Sequence, residues 1–272
     1  MKHMSSEPPA FVGSVPKDYD AYLGPFLFDF YAADLAARMG VDPGSRILET
    51  ACGTGIATEV LRNVLPSGCE IVATDLSEAM LDHARSTRGH LEGVRFDTAD
   101  AADLPFGDGF FDAVCSQFGL MFIPDKLQAM REVHRVLRPG GQFTFNVWGD
   151  LASNPYVQVA QSVIESFFES DPPTFLYLPW SYSDPKQIDA LLTDAGFSEV
   201  NLRLVPHIWR GSTSEGIARG LVCGNPTIAH VLERATASVD EVVSAVANAL
   251  DEAFGGSNLR VPMQAVVVTA RT

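Results

Sequence analysis

A short apolar strand that runs into a glycine-rich turn and then into a helix constrains the fold of this chain more than any other feature. The strand covers Arg46 to Thr50, Gly53 and Gly55 lie in the turn, and the helix begins at Ile56. Glycines let the backbone approach a ligand closely, and the free N–H groups at a helix start point outward. The unit predicts an α/β fold with a nucleoside-cofactor site at the turn.

The chain after this turn continues to alternate apolar strands with amphipathic helices. Strands are predicted at 46–50, 70–74, 94–97, 111–117 and 141–148, with helices at 56–65, 77–87 and 126–137. Such alternation is typical of a parallel sheet covered by helices on both faces. Later strands at 199–209 and 261–270 bring the prediction to a doubly wound, mostly parallel sheet of seven strands.

Helical segments surround the predicted sheet. Two helices between Asp18 and Met39, separated at Pro25, follow a flexible lead-in at residues 5–16, with order beginning near Lys17. After residue 150 the chain has a helix at 155–170, an aromatic, proline-rich segment at 171–180, a helix at 185–195, and two or three helices within 212–255. We predict a cofactor-binding core of residues 17–150, 183–210 and 258–272, and a helical lid formed by the insertions 151–182 and 211–257.

The amino-acid composition limits the classes of molecule that the protein is expected to bind. The net charge of −15 disfavours nucleic acid, because binding a phosphate backbone requires clustered Lys and Arg. The four cysteines show no metal-binding spacing, so no metal is predicted, and no apolar run reaches the roughly 18 residues that span a bilayer. We expect a cytoplasmic protein that acts on a small molecule, and the sequence leaves open whether it forms a homodimer.

Acidic residues follow three successive strands of the predicted sheet. They are Glu49, Asp75 and Asp100, and the carboxyl ends of the strands would align them along one crevice. A dinucleotide fingerprint would require a third glycine where Thr58 stands, which weakens the case for NAD. Asp75 and Asp100 could alternatively cap a helix or a turn.

Five segments in this order resemble the class I S-adenosylmethionine-dependent methyltransferases, and are most similar to the branch that includes the ubiquinone and menaquinone biosynthesis methyltransferases. The segments are residues 47–55, 71–81, 97–106, 111–114 and 131–141. The resemblance implies a Rossmann-like methyltransferase fold, S-adenosylmethionine as cofactor and S-adenosylhomocysteine as product. Ala51 departs from the family pattern, which usually has glycine there.

The resemblance also implies roles for individual residues. Those expected at the cofactor are Glu49, Ala51 and Gly53 at its amino-acid end, Asp75 at the ribose hydroxyls, Leu76, Met80, Asp100 and Ala101 around the adenine, and Gln117 and Phe118 facing the methyl group. A carboxylate suits a diol or an amine because it has two acceptor oxygens. Tyr19 and Tyr22 are expected to close over the methionine carboxylate, or else to be ordinary core aromatics.

The acceptor is expected to bind among aromatic residues near the carboxyl edge and in the lid. They are Phe122, Trp148, Tyr156, Phe175, Tyr177 and Trp180, which could also simply form the core between lid and sheet. Methyl transfer is an in-line displacement that depends mainly on alignment in a dry pocket. If the acceptor needs a base, His207 is the first candidate and His230 a weaker one, although a structural histidine fits equally well.

Three functions follow from these features. The first is methyl transfer to an O, N or C atom of a small, largely apolar or aromatic acceptor. The second is an NAD-dependent dehydrogenase, which the glycine turn and Asp75 allow and Thr58 opposes. The third is a regulatory protein that binds S-adenosylmethionine without turnover, because the sequence has no obvious base.

Overall fold

A seven-stranded sheet forms the centre of the protein. The computed structural model describes residues 11–272. The strands are β1 Arg46–Thr50, β2 Glu70–Asp75, β3 Val94–Thr98, β4 Phe111–Gln117, β5 Leu137–Trp148, β6 Ser198–Gly211 and β7 Leu259–Arg271. Their order is β3-β2-β1-β4-β5-β7-β6. The first five strands pair in parallel, and β7 lies antiparallel between β5 and β6. The predicted α/β class is confirmed, with a mixed sheet of seven strands.

The order of the strands places a crevice beside β1. Chain order runs outward from β1 to β3 on one side and resumes with β4 on the other. At such a switch point the connections leave in opposite directions, so a ligand crevice opens outside the carboxyl ends of the strands. The glycine turn follows β1 directly and therefore lies at this crevice.

Helices cover both faces of the sheet. They are α1 Val15–Asp18, α2 Asp29–Arg38, α3 Ile56–Val64, α4 Glu78–Arg88, α5 Lys126–Val136, α6 Tyr156–Glu165, α7 Pro185–Ala195, α8 Glu215–Cys223, α9 Thr227–Arg234 and α10 Val239–Phe254. In α5 the buried residues Ala129, Met130, Val133 and Val136 form one apolar stripe. This spacing of apolar residues is the signal from which the helix was predictable.

The N-terminal helical region differs from its prediction at Pro25. A π-helix, Tyr19–Phe28, joins α1 to α2 without interruption, and Pro25 lies inside it. Proline lacks an N–H group and clashes with the carbonyl four residues earlier in an α-helix, and the wider π spacing relieves this conflict. The predicted separation of two helices at Pro25 is therefore wrong.

The segment before α1 is also more ordered than predicted. Phe11 packs edge-on against Tyr19, Phe122 and Phe175, with ring centroids about 6 Å apart in each pair. Val15 is buried at the start of α1. Residues 5–10 of the predicted flexible lead-in lie outside the described residues. Within 11–16, Phe11, Val15 and Pro16 are partly or fully covered, whereas Val12 is exposed.

The two insertions supply helices that contact one another. Helix α10 packs on α6 and on α8, and α8 packs on the π-helix. The aromatic segment of the first insertion forms a 3-10 helix, Phe175–Trp180, which contacts a second 3-10 helix, Leu120–Phe122, after β4. Helices α8, α9 and α10 lie in the second insertion.

Candidate functional site

The glycine turn adopts left-handed backbone at three positions. Ala51, Gly53 and Gly55 have φ angles of 53°, 56° and 84°. Left-handed backbone is unfavourable for a residue with a Cβ, so Ala51 is strained where the two glycines are not. Gly55 precedes the first residue of α3, which places the unpaired N–H groups of that helix start beside the turn.

A cavity of about 450 Å³ opens over this turn. Ten of the residues predicted to contact the cofactor line it: Tyr19, Ala51, Gly53, Asp75, Leu76, Met80, Asp100, Ala101, Gln117 and Phe118. They come from the ends of β1, β2 and β4, the loop after β3, the first turn of α4, and the N-terminal helical region. The volume is within the range of small-molecule sites, so the structure gathers these residues around one ligand-sized space.

Asp75 connects the glycine turn to the end of β2. Its carboxylate accepts hydrogen bonds from the backbone N–H groups of Gly53 and Ser77, each at 2.8 Å. Ser77, and not Asp75, caps α4, because the Ser77 Oγ accepts from the N–H of Met80. Burial raises the pKa of Asp75, and the backbone hydrogen bonds oppose that shift. Each carboxylate oxygen can accept more than one bond, so Asp75 can also accept from a ligand.

Asp100 lines the same cavity. It is exposed, and its Oδ1 accepts from the N–H of Ala102 at 2.8 Å. Met80 is buried beneath the cavity, and a Cβ added to Gly53 would lie 3.5 Å from its methyl carbon. The cavity thus combines an apolar floor with carboxylates at two positions, which suits a ring that carries both an apolar face and polar edges.

Glu49 is buried next to this cavity. It lines a small adjoining cavity of about 20 Å³ with Tyr19, Ala51 and Gln117. Its Oε2 accepts a hydrogen bond of 2.6 Å from the Thr58 hydroxyl, which explains why threonine occupies the position of a third glycine. Burial raises the pKa of Glu49 to about 8, and the Thr58 hydrogen bond acts in the opposite direction. A cationic ligand group would favour the ionised form.

We expect Glu49 to make the ligand-free protein less stable as the pH rises. Its pKa is about 8 when folded against an ordinary value of 4.5, so its contribution is fully present below about pH 4.5 and is lost as the pH rises through 8. Replacing it by an uncharged amide, Glu49→Gln, should remove on the order of 3 kcal/mol of this pH dependence. Denaturant unfolding at pH 5.5 and 8.5 measures the change in unfolding free energy between the two pH values. An equal change in the wild type and in Glu49→Gln would contradict the assignment.

A smaller aromatic chamber of about 50 Å³ adjoins the cofactor-sized cavity. Its lining includes Phe122, Trp148, Phe175 and Trp180 of the predicted acceptor residues. Trp148 stacks on Phe118 at 3.9 Å between ring centroids and on Trp180 at 5.4 Å. The chamber and the cavity share one wall, because four residues line both spaces: Phe11, Tyr19, Phe118 and Phe122.

Several predicted residues lie outside both spaces. Tyr22 packs beside Gly216 and Gly220 of α8, Tyr156 is fully buried against Phe26, and Tyr177 is partly buried in the core. For these three the alternative prediction of a packing role is the one that the contacts favour. Tertiary packing turned their side chains away from the crevice, which sequence spacing could not indicate.

The predicted base is not part of the site. His207 stacks on Phe30 at 3.8 Å on the edge strand β6, and burial followed by the charge of Arg210 lowers its pKa. His230 contacts Arg234 on α9. Neither histidine lines the cavity or the chamber. Three strands separate β6, which carries His207, from β1, and His230 lies on α9. The structure does not support His207 as a base.

The structure adds lining residues that sequence reasoning did not identify. At the cavity these are Phe11, Ser77, Ala99, Gly119, Ile123 and Pro124. At the chamber they include Leu23, Leu27, Phe28, Leu176, Leu221 and Asn225. Phe11 falls in a segment that composition predicted to be flexible, and the leucines carry no signal beyond helical spacing.

Two searches of the described chain bear on other kinds of site. Within residues 11–272 no group of three or more His, Cys, Asp or Glu side chains is placed to hold a metal ion. In the same range no helix is both long and apolar enough to cross a membrane.

Comparisons with known proteins agree with this geometry. A family described as "Methyltransferase domain" matches residues 48–145. A demethylmenaquinone methyltransferase of Staphylococcus epidermidis is 31% identical over 178 residues, covering 61% of this chain and 73% of the relative. The ubiquinone/menaquinone biosynthesis C-methyltransferase UbiE of Pectobacterium carotovorum is 30% identical over 179 residues, covering 60% of this chain and 70% of the relative.

Solved structures share the fold at lower identity. The [4+2]-cyclase SpnF superposes with a TM-score of 0.58 and 22% identity, covering 90% of this chain and 81% of the other. A putative methyltransferase from Bacillus halodurans superposes with a TM-score of 0.55 and 18% identity, covering 88% of this chain and 97% of the other. The dehydrogenase and non-catalytic alternatives do not agree with the sequence relatives. This chain belongs to the class I S-adenosylmethionine-dependent methyltransferases, enzymes that transfer a methyl group to a small-molecule acceptor.

Proposed function

We propose that this enzyme methylates a small, flat, largely apolar acceptor with an aromatic ring, bound at the chamber beside the cofactor cavity. The chamber, about 50 Å³ in this structure, would widen to admit the ring. The observation that carries the proposal is the shared wall, because Phe118 and Phe122 line both spaces. A ring stacked in the chamber would lie next to the part of the bound cofactor that faces the shared wall. The relatives named for quinone biosynthesis act on acceptors of this general kind.

We assign the cofactor by the chemistry of the cavity. Asp75 would accept from the two ribose hydroxyls, Asp100 from the adenine amine, and Glu49 would face the methionine ammonium. Leu76 and Met80 would pack on the adenine, and the left-handed turn would let the backbone approach the methionine part. The buried, Thr58-bonded Glu49 supports this fit, since a buried carboxyl is best stabilised as an anion by a cationic partner.

When bound, S-adenosylmethionine supplies a methyl group on a positively charged sulfur. The protein would contribute position and a dry environment, since aromatic rings surround the chamber. Tyr19 is the one titratable side chain among the described residues that line the chamber, and burial raises its pKa. Its hydroxyl therefore stays protonated and cannot accept a proton from the acceptor. We therefore propose that the acceptor atom is already electron-rich or ionised when it binds, as in a hydroquinone or an acidic phenol.

We further propose the division of the chain into core and lid. Residues 17–150, 183–210 and 258–272 would bind the cofactor, and 151–182 and 211–257 would close over the acceptor. The contributions of Phe175, Trp180 and Leu221 to the chamber support this division, because each comes from an insertion. Phe11 and Tyr19, from the N-terminal region, line both spaces as well. We expect the protein to act in the cytoplasm, and its state as monomer or homodimer stays a prediction.

Transfer of a labelled methyl group from S-adenosylmethionine tests the acceptor class. We expect turnover with a reduced naphthoquinone and with bicyclic phenols, and none with phosphoethanolamine, because no Lys or Arg is among the lining of the chamber. Phosphoethanolamine is a useful contrast because a phosphoethanolamine N-methyltransferase of Haemonchus contortus shares the fold. Turnover of phosphoethanolamine alone would refute the proposed acceptor class.

Phe175→Ala tests the chamber directly. Removing this ring should lower kcat/KM for the aromatic acceptor about 10- to 100-fold, the loss expected for one buried phenyl group. The Kd for S-adenosylhomocysteine should stay within about twofold, because Phe175 does not line the cofactor cavity. Phe168→Ala in the same insertion is the control, since Phe168 is half-buried and outside the chamber. Equal losses in both variants would show that the chamber is not the acceptor site.

A further inference from the structure

A cluster of charged side chains joins the glycine turn to the N-terminal helical region. Asp20 lies on the π-helix, and its carboxylate accepts hydrogen bonds from Arg88 Nη1 at 3.1 Å and from the Thr54 hydroxyl at 3.2 Å. His83 Nε2 lies 3.1 Å from the same carboxylate. Arg88 and His83 lie on α4, and Thr54 lies in the turn between Gly53 and Gly55. The cluster therefore connects three separate parts of the chain at one carboxylate.

Arg88 holds the turn from a second direction. Its Nη1 donates to the carbonyl of Thr54 at 3.1 Å, and its Nε donates to Glu59 of α3 at 2.9 Å. Its stem packs on the turn as well, because a Cβ added to Gly55 would lie 3.0 Å from Arg88 Cδ. Both Arg88 and Asp20 are largely buried, with side-chain exposures of 12% and 17%. Charged hydrogen bonds in such surroundings are stronger than surface ion pairs.

Asp20 lies directly beside the residues that form the shared wall. The neighbouring Tyr19 lines both the cofactor cavity and the aromatic chamber. Tyr19 stacks on Phe28 at 4.8 Å and meets Phe11 edge-on at 6.1 Å. A shift of Asp20 would thus move Tyr19, which is part of the shared wall. Asp20 also contacts the glycine turn, over which the cofactor cavity opens.

We infer that Asp20 and Arg88 are positioning residues that couple cofactor binding at the glycine turn to the closure of the N-terminal segment over the acceptor chamber. The inference rests on the cofactor site proposed above. A cofactor that fixes the turn fixes Thr54, and the Thr54–Asp20–Arg88 contacts transmit this order to residues 11–28. Coupling of this kind is reciprocal, so a closed N-terminal segment also retains the cofactor.

Hydrogen exchange of the full chain, with and without S-adenosylhomocysteine, tests the coupling. In the wild type the ligand should slow amide exchange at least about tenfold both in residues 50–60 and in residues 11–28. In Asp20→Ala the ligand should still protect residues 50–60, whereas residues 11–28 should lose most of their wild-type protection, and the Kd of the ligand should rise about tenfold. Arg88→Met, which keeps the packed stem and removes the donors, should give the same selective loss.

Arg85→Ala is the matched control. Arg85 lies one turn earlier on α4 and bonds to Glu78, Asp82 and the carbonyl of Phe96, so full protection should persist. Wild-type protection of residues 11–28 in a folded Asp20→Ala or Arg88→Met protein would overturn the inference. If the ligand protects residues 50–60 alone in the wild type, the coupling fails while the cofactor site stands. If it protects neither region, the proposed cofactor site itself fails.

Discussion

Replacing Asp75 by alanine should weaken binding of S-adenosylhomocysteine by at least about 100-fold, the effect of losing two hydrogen bonds from ribose hydroxyls to a charged acceptor. The same change removes the acceptor of the Gly53 N–H, so the turn loses its connection to the end of β2. Titration calorimetry measures the Kd. The effect is large because both groups that Asp75 joins, the turn and the ligand, depend on one carboxylate.

Asp97→Ala provides the comparison for this prediction. Asp97 lies near the end of the adjacent strand β3 and pairs with Arg95 at the surface. It does not line the cavity, so the Kd should stay within about twofold of the wild type. An Asp75→Ala protein that remains folded and binds with wild-type affinity would show that the ribose is bound elsewhere.

The second large effect concerns Ala51, where the family pattern usually has glycine. Its methyl group is accommodated by Gly119, because a Cβ added to Gly119 would lie 2.4 Å from the Ala51 Cβ. Gly119→Ala should therefore cost about 2 to 3 kcal/mol of folding free energy and weaken cofactor binding, as expected for overpacking at rigid atoms. The φ of Gly119 is −101°, so backbone strain is not the cause.

The double variant Ala51→Gly/Gly119→Ala should recover most of this loss. Ala51→Gly alone should stabilise the protein by about 1 kcal/mol, because glycine tolerates the left-handed backbone at this position. A contact of 3.0 Å with the Ser116 hydroxyl would remain in the double variant, so recovery should be incomplete. Denaturant unfolding of the four proteins gives the coupling free energy, which we expect to be about 1 kcal/mol.

Gly107→Ala controls for adding a methyl group to any glycine. A Cβ there meets nothing within 4 Å, so stability should change little. If Gly119→Ala is as mild as Gly107→Ala, or if Ala51→Gly does not rescue it, the packing account of Ala51 is wrong. A confirmed rescue would explain how this chain carries alanine in its glycine turn.

The core of the fold and the cofactor cavity were predictable because their signals are local. Strand periodicity, the glycine turn and an acidic residue after each of the first strands each depend on neighbours in sequence. Parallel pairing then places Glu49, Asp75 and Asp100 at one edge whatever the rest of the chain does. Ten predicted residues therefore line a single cavity.

The acceptor side was less predictable because it is assembled from distant segments. Trp148 and Trp180 were identified, whereas the neighbouring aromatic Tyr156 faces the core instead of the chamber. The direction of an aromatic side chain depends on helix packing, which no single segment determines. Phe11 shows the opposite error, since a polar, proline-rich context hid an aromatic residue that three other rings cover.

The π-helix illustrates how tertiary contacts override a local rule. Pro25 predicts a break, yet the helical region continues, and the carbonyl of Pro25 accepts a hydrogen bond of 3.1 Å from Trp209 of β6. Tyr31, one turn beyond this helix, donates to the carbonyl of Val205 on the same strand. These bonds to an edge strand fix the region from outside, which sequence periodicity could not show.

A crystal structure of the protein with S-adenosylhomocysteine tests the central claim most directly. The account predicts the ribose hydroxyls within hydrogen-bond distance of the Asp75 carboxylate, and the sulfur directed toward the wall of Phe118 and Phe122. A second cavity of about 360 Å³, lined by Arg38, Gln142 and Arg271, lies at the opposite edge of the sheet. Ligand density there, with none over the glycine turn, would contradict the account.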